Sequence, residues 1–76
     1  MSSRFYRFHL QVPARELERW YRGEAHFVVV TTDSGLRVQI PVRHLRPFVS
    51  MKGLQGAFQI WLDQNNKLVE IRRLEY

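Results

Sequence analysis

Apolar side chains recur at every second position in several short stretches of this chain, and that period constrains its fold more than any other feature. Tyr6, Phe8, Leu10 and Val12 alternate with Arg7, His9 and Gln11, the pattern of a strand with one buried face. The same period returns in Leu36, Val38 and Ile40, in Phe58, Ile60 and Leu62, and in Val69 and Ile71. The segment from Ala25 to Thr32 adds a run of β-branched residues suited to a pleated surface. Asp33-Ser34-Gly35 and the stretch Asp63 to Lys67 supply turn chemistry between neighbouring strands, so two hairpins are expected. The alternation breaks before Leu74, which predicts a bulge near Arg72 and Arg73.

One segment carries a different period. Leu17, Trp20 and Tyr21 follow the i, i+3, i+4 spacing of a helical face, with Pro13 suited to the first helical position and Gly23 to the C-terminal cap. A helix of about nine residues is too short to stand alone and has to pack on the strands. Pro41 ends the third strand because it has no N–H for a ladder, and Val42 to Gly53, with Pro47 inside it, reads as an irregular or 3₁₀ connection. The order is strand, helix, two strands, connection, two strands. This predicts an α+β domain: a small five-stranded antiparallel sheet, or the same strands curled into a partly open barrel, with the helix packed on it.

A chain of 76 residues forms one domain, here residues 1–76. A domain of this size buries only about 60% of its unfolded surface. Leftover apolar surface of that kind invites a partner or a second copy. With no cysteine, disulfides and thiolate ligands are excluded, which points to a reducing compartment, the cytoplasm. Charged residues interrupt the N-terminus where an export signal needs an apolar core, and the longest apolar run, Phe27-Val28-Val29-Val30, cannot span a bilayer.

The formal charge of +5 is unevenly placed. Between positions 34 and 62 stand Arg37, Arg43, Arg46 and Lys52 without a single Asp or Glu, so nearly all the excess lies there. A field of that sign draws anionic partners, an acidic protein surface or a nucleic acid, although a solvated basic surface has the same composition.

Tyr6-Arg7-Phe8-His9-Leu10, Tyr21-Arg22-Gly23, Val38-Gln39-Ile40-Pro41, Leu45-Arg46-Pro47-Phe48-Val49, Gly53-Leu54-Gln55-Gly56-Ala57-Phe58, and Asp63 with Asn66-Lys67 occur in this order along the chain. Together these segments resemble a family of short bacterial proteins known as Domain of Unknown Function 2835, over nearly the whole length. The resemblance implies a small stand-alone cytosolic protein and brings no catalytic residue, cofactor or ligand with it.

Chemistry-bearing constellations are sparse. His9, His26 and His44 lack the paired spacing of metal ligands, and no cofactor fingerprint occurs. Ser34 and Ser50 are accounted for by turns, and Glu16 and Glu18 are too close in sequence to share a helical face. A non-enzymatic role is expected. Gly53-Leu54-Gln55-Gly56 has the spacing of a backbone-clamping glycine loop, but here it leads into a strand, and a tight turn explains it.

If Phe8, Leu10, Val38, Ile40, Phe58 and Ile60 face the core, then Arg7, His9, Gln11, Arg37, Gln39, Gln59 and Trp61 face outward. Cations, amides and an aromatic ring on one surface are the ingredients of single-strand recognition. The alternative is that Trp61 forms the floor beneath Leu17 and Trp20 of the helix. Beside this face, Arg43, His44 and Arg46 lie in a connection stiffened by Pro41 and Pro47. The candidate partner-binding residues are therefore Arg37, Arg43, His44, Arg46, Lys52 and Trp61. The simplest reading is a protein-interaction or regulatory adaptor that docks on an acidic partner or on itself. The other reading is a module for single-stranded RNA, in which the cations hold phosphates and Trp61 stacks a base. Which of them applies turns on whether Trp61 faces the helix or the solvent.

Overall fold

In the computed structural model, which describes residues 4–74, the order is strand β1 (Arg4–Pro13), helix α1 (Ala14–Tyr21) and strands β2 (Phe27–Thr31) and β3 (Arg37–Pro41). Two 3₁₀ turns, Val42–His44 and Arg46–Phe48, then lead to β4 (Gly53–Leu62) and β5 (Leu68–Leu74). This is the α+β order that the periodicities predict.

The five strands divide into two antiparallel sheets, one of order β1-β4-β5 and one of β2-β3. They form neither a single sheet nor a closed barrel. The long pair is β1 with β4, in unbroken register from Arg4 opposite Leu62 to Pro13 opposite Gly53. The sheets bury their inner faces together, so Phe8, Phe58 and Ile60 from the first join Val30, Val38 and Ile40 from the second in one core. Phe58 is its centre, stacked on Phe8 at 5.6 Å and met edge-on by Phe48 at 5.3 Å between ring centroids. The Asp33 amide donates to the Arg7 carbonyl at 2.8 Å, tying the β2–β3 turn to the edge of β1.

Pro13 lies one position earlier than the sequence suggests, as the residue before the first helical turn, with φ −66° and ψ 155°. Leu17 and Trp20 enter the core, whereas Tyr21 remains exposed. Gly23, at φ 77°, ends the helix by donating its amide to the Trp20 carbonyl at 3.2 Å. In the connection, Val42 and Leu45 are buried one 3₁₀ turn apart and hold Arg43 and His44 between them.

Two corrections concern the last hairpin. β4 begins at Gly53, earlier than the Phe58 alternation indicates. Gly53 closes a tight turn, its amide donating to the Ser50 carbonyl at 3.0 Å, and opens the strand at φ 114°, whereas Gly56 lies inside the strand at φ 139°. The irregularity in β5 sits at Val69, because Trp61 faces Glu70 while Leu62 faces Leu68. Val69 is left without a partner across the ladder, and Arg72 and Arg73 pair regularly with Gln59 and Phe58.

Candidate functional site

The outer face of the three-stranded sheet follows from register alone. Residues opposite each other across antiparallel strands point to the same side. Phe5 of β1 stands opposite Trp61 of β4, and Trp61 opposite Glu70 of β5. The next outward row is Arg7, Gln59 and Arg72. Trp61 alternates with the buried Ile60 and Leu62, and α1 packs on the inner side with them. The ring therefore faces away from the helix, half-buried among its neighbours on the sheet.

These side chains hold one another. The Arg72 guanidinium lies 5.4 Å from the centroid of the Trp61 ring, within cation–π range. Its Nε donates to Glu70 Oε2 at 2.9 Å, and Arg7 Nε donates to Gln59 Oε1 at 3.2 Å. Phe5 keeps 58% of its surface exposed beside them. The result is a flat strip with two aromatic rings on adjacent strands, bordered by two guanidinium groups and an amide.

The residues singled out from the sequence do not converge on this strip. Arg7, His9, Gln11, Gln59 and Trp61 do share it, but Arg37 and Gln39 lie on the other sheet, outward from β3. Arg37 pairs with Thr31 next to the β2–β3 turn. The side chain of Arg46 crosses to α1, where Nη2 donates to the Trp20 carbonyl at 3.4 Å. Lys52 projects from the bend closed by Ser50 and Gly53, its amide donating to Ser50 Oγ at 3.2 Å. Arg43 and His44 stay together and line a cleft of about 330 Å³ with Phe27, Gln39, Asn66 and Lys67.

Sequence reasoning missed Phe5 and Arg72 on the strip and Lys67 in the cleft. Phe5 precedes the alternating run and is out of phase with it, which was a usable signal. Lys67 belongs to a turn, which hides its place in the cleft, and the irregularity at Val69 shifts the facing that alternation gives Arg72.

Charge is distributed by pairing. Glu16 and Glu24 reach Arg19, Glu18 reaches Arg22, and Glu70 reaches Arg72. Asp33 lies 3.9 Å from His9. The remaining described acid, Asp63, accepts the amides of Asn65 at 2.8 Å and Lys67 at 3.0 Å. The Lys67 amide is the main reason that its carboxyl is held below the ordinary value of 3.8, with the Asn65 amide and the Lys67 charge adding to it. Among the described residues only Arg19, Arg22 and Arg72 of the arginines and lysines have a carboxylate within ion-pair distance, so Arg37, Arg43, Lys52 and Lys67 are among those without one.

Among the described residues no group of three His, Cys, Asp or Glu side chains gathers as metal ligands. No described helix is long and apolar enough to cross a membrane. Comparison with curated proteins gave no match, and comparison with solved structures gave none. The model of the family described as "Protein of unknown function (DUF2835)" matches residues 4–74, so the chain belongs to that family.

Proposed function

We propose that this protein is a non-enzymatic cytoplasmic module that binds single-stranded nucleic acid, RNA foremost, on the outer face of its three-stranded sheet. The observation that carries this reading is the register that sets Phe5 beside Trp61, both outward on adjacent strands. Bases stack on such rings at about 1–3 kcal/mol each without regard to sequence. Arg7 and Arg72 border the rings and are suited to phosphates, and a base can equally stack on the planar Arg72 guanidinium already lying over Trp61. Gln59 adds an amide able to contact base edges.

The test is a titration with short unstructured RNA, followed by tryptophan fluorescence and by anisotropy of a labelled strand. Binding should quench the half-exposed Trp61 and leave the buried Trp20 unaffected. With Arg7 and Arg72 on phosphates, log K should fall against log salt with a slope of about −1.4. Absence of binding at low salt, or binding that ignores salt, counts against the proposal.

The adaptor reading retains one specific support. Phe27 and Val29 are 54% and 51% exposed on the outer side of β2, an apolar pair that another protein or a second copy of the chain could cover. Affinity capture with and without nuclease separates the two. A partner that survives nuclease favours the adaptor, and one that vanishes favours nucleic acid.

A further inference from the structure

The cleft that holds Arg43, His44 and Lys67 is built independently of the sheet face. Val42 and Leu45 are 4% and 0% exposed, so the first 3₁₀ turn is anchored at both ends and presents Arg43 and His44 outward. The Val42 amide donates to the His26 carbonyl at 3.0 Å, fixing that turn to the start of β2 beside Phe27. On the other side, the Asp63 amide donates to the Lys67 carbonyl at 2.9 Å, and Asp63 Oδ1 accepts the Lys67 amide at 3.0 Å. Asn66, at φ 63°, is further held by a hydrogen bond from Arg4. Two stiff segments, distant in sequence, thus place an arginine, a histidine and a lysine around one opening.

No acidic side chain lines this cleft. The nearest in sequence, Asp63, already has two backbone amides on its carboxylate. An exposed phenyl ring, Phe27, and the amides of Gln39 and Asn66 complete the lining. The volume of about 330 Å³ is at the small end of ligand pockets, which run from about 300 to 1,000 Å³.

We propose that this cleft is a nucleotide site: Arg43 and Lys67 hold the phosphate, Phe27 stacks the base, and Gln39 and Asn66 contact its edge. A guanidinium and an ammonium together supply a planar fork and a point charge to a phosphate's oxygens. The base has a ring to lie on, so the chemistry selects a nucleotide over a bare anion. A free mononucleotide and the phosphorylated end of a strand share that chemistry.

The full chain is titrated with a nucleoside monophosphate and, separately, with the matching unphosphorylated nucleoside, and its amide proton–nitrogen NMR spectrum is followed. The monophosphate should move the Phe27, Arg43, His44 and Lys67 signals at concentrations up to about 10 mM, a weak-site regime. The nucleoside should not. Both cations are exposed, so the double variant Arg43→Gln, Lys67→Gln should keep its fold and lose affinity about tenfold or more. No shift at these residues, equal shifts with the nucleoside, or undiminished binding by the folded double variant overturns the proposal. Oligonucleotides with and without a terminal phosphate identify the source. A terminal phosphate that tightens strand binding and moves the Arg43 and Lys67 signals assigns the site to strand ends, and a strand that leaves those signals unmoved with or without the phosphate assigns it to free nucleotides. Trp61 quenching reads the sheet face separately, so either proposal can fail while the other stands.

Discussion

The carbonyl oxygen of Val12 occupies the space that a side chain on Gly53 would need. Gly53 faces Pro13 at the far end of the β1–β4 ladder, at φ 114°, and a Cβ there would collide with that carbonyl and lie 3.1 Å from the Ala14 amide nitrogen. The obstacle is backbone at the junction of β1 and α1 and cannot swing aside.

Gly53→Ala should therefore destabilise the domain by more than the roughly 1–3 kcal/mol that an unfavourable backbone conformation costs alone. Gly35→Ala is the control. Gly35 has φ 90°, but a methyl group on it would meet nothing within 4 Å, so only the conformational cost applies. Urea denaturation of both variants checks the ranking, and equal losses would refute the steric account.

Leu45 joins the two 3₁₀ turns and is 0% exposed. Leu45→Ala should cost about 2–5 kcal/mol, a large share of the stability of so small a domain, and Leu45→Met less than about 1.5 kcal/mol. The Ala variant should also release the turn that presents Arg43 and His44. Amide hydrogen exchange at Leu45, whose N–H donates to the Val42 carbonyl at 2.9 Å, reads that loosening directly.

Asp63 gives a pH dependence of defined sign. Its carboxyl titrates below the ordinary 3.8 in the folded chain. The folded state thus gains from the charged form, and that gain is complete above 3.8 and disappears as pH falls through the lower folded value. Wild type should lead Asp63→Asn in stability near neutral pH, with the difference shrinking on acidification below 3.8. Denaturation curves at stepped pH test this, and a gap that widens in acid contradicts it.

Arg72→Gln should uncover the Trp61 ring. Because the exposed Arg72–Glu70 pair and the cation–π contact are each weak, the stability change should stay within about 1 kcal/mol. Tryptophan emission should shift to the red. If nucleic acid stacks on the guanidinium, affinity should fall about tenfold, or by about 1.4 kcal/mol, and Trp61→Ala should lower it further.

The order of elements was legible because each strand and the helix carry their own periods. The partition into two sheets was not, since alternation tells which face a residue takes but not which strand lies beside it. That is why Arg37 and Gln39 were grouped with Trp61 although their strand pairs only with β2. The early start of β4 was hidden because Gly53, Gln55 and Gly56 read as loop chemistry, and the approach of Val12 together with a positive φ explains the glycine at 53. Four of the six candidates, Arg37, Arg43, Arg46 and Lys52, rest on a charge excess counted along the chain. Folding keeps only Arg43 and His44 together, sets Arg37, Arg46, Lys52 and Trp61 apart from them, and brings Lys67 from the last hairpin turn into the Arg43 cleft.

The unpaired Val69 also shapes the edge that β5 presents. An edge strand offers free backbone groups to any passing strand, and regular edges are the seams along which sheets grow into fibrils. In β5 the extra residue falls near the start of that edge and breaks its regular spacing. Arg72, Arg73 and Glu70 put charge along the rest. The β5 edge thereby offers a poorer template for a strand of another copy than an unbroken ladder would.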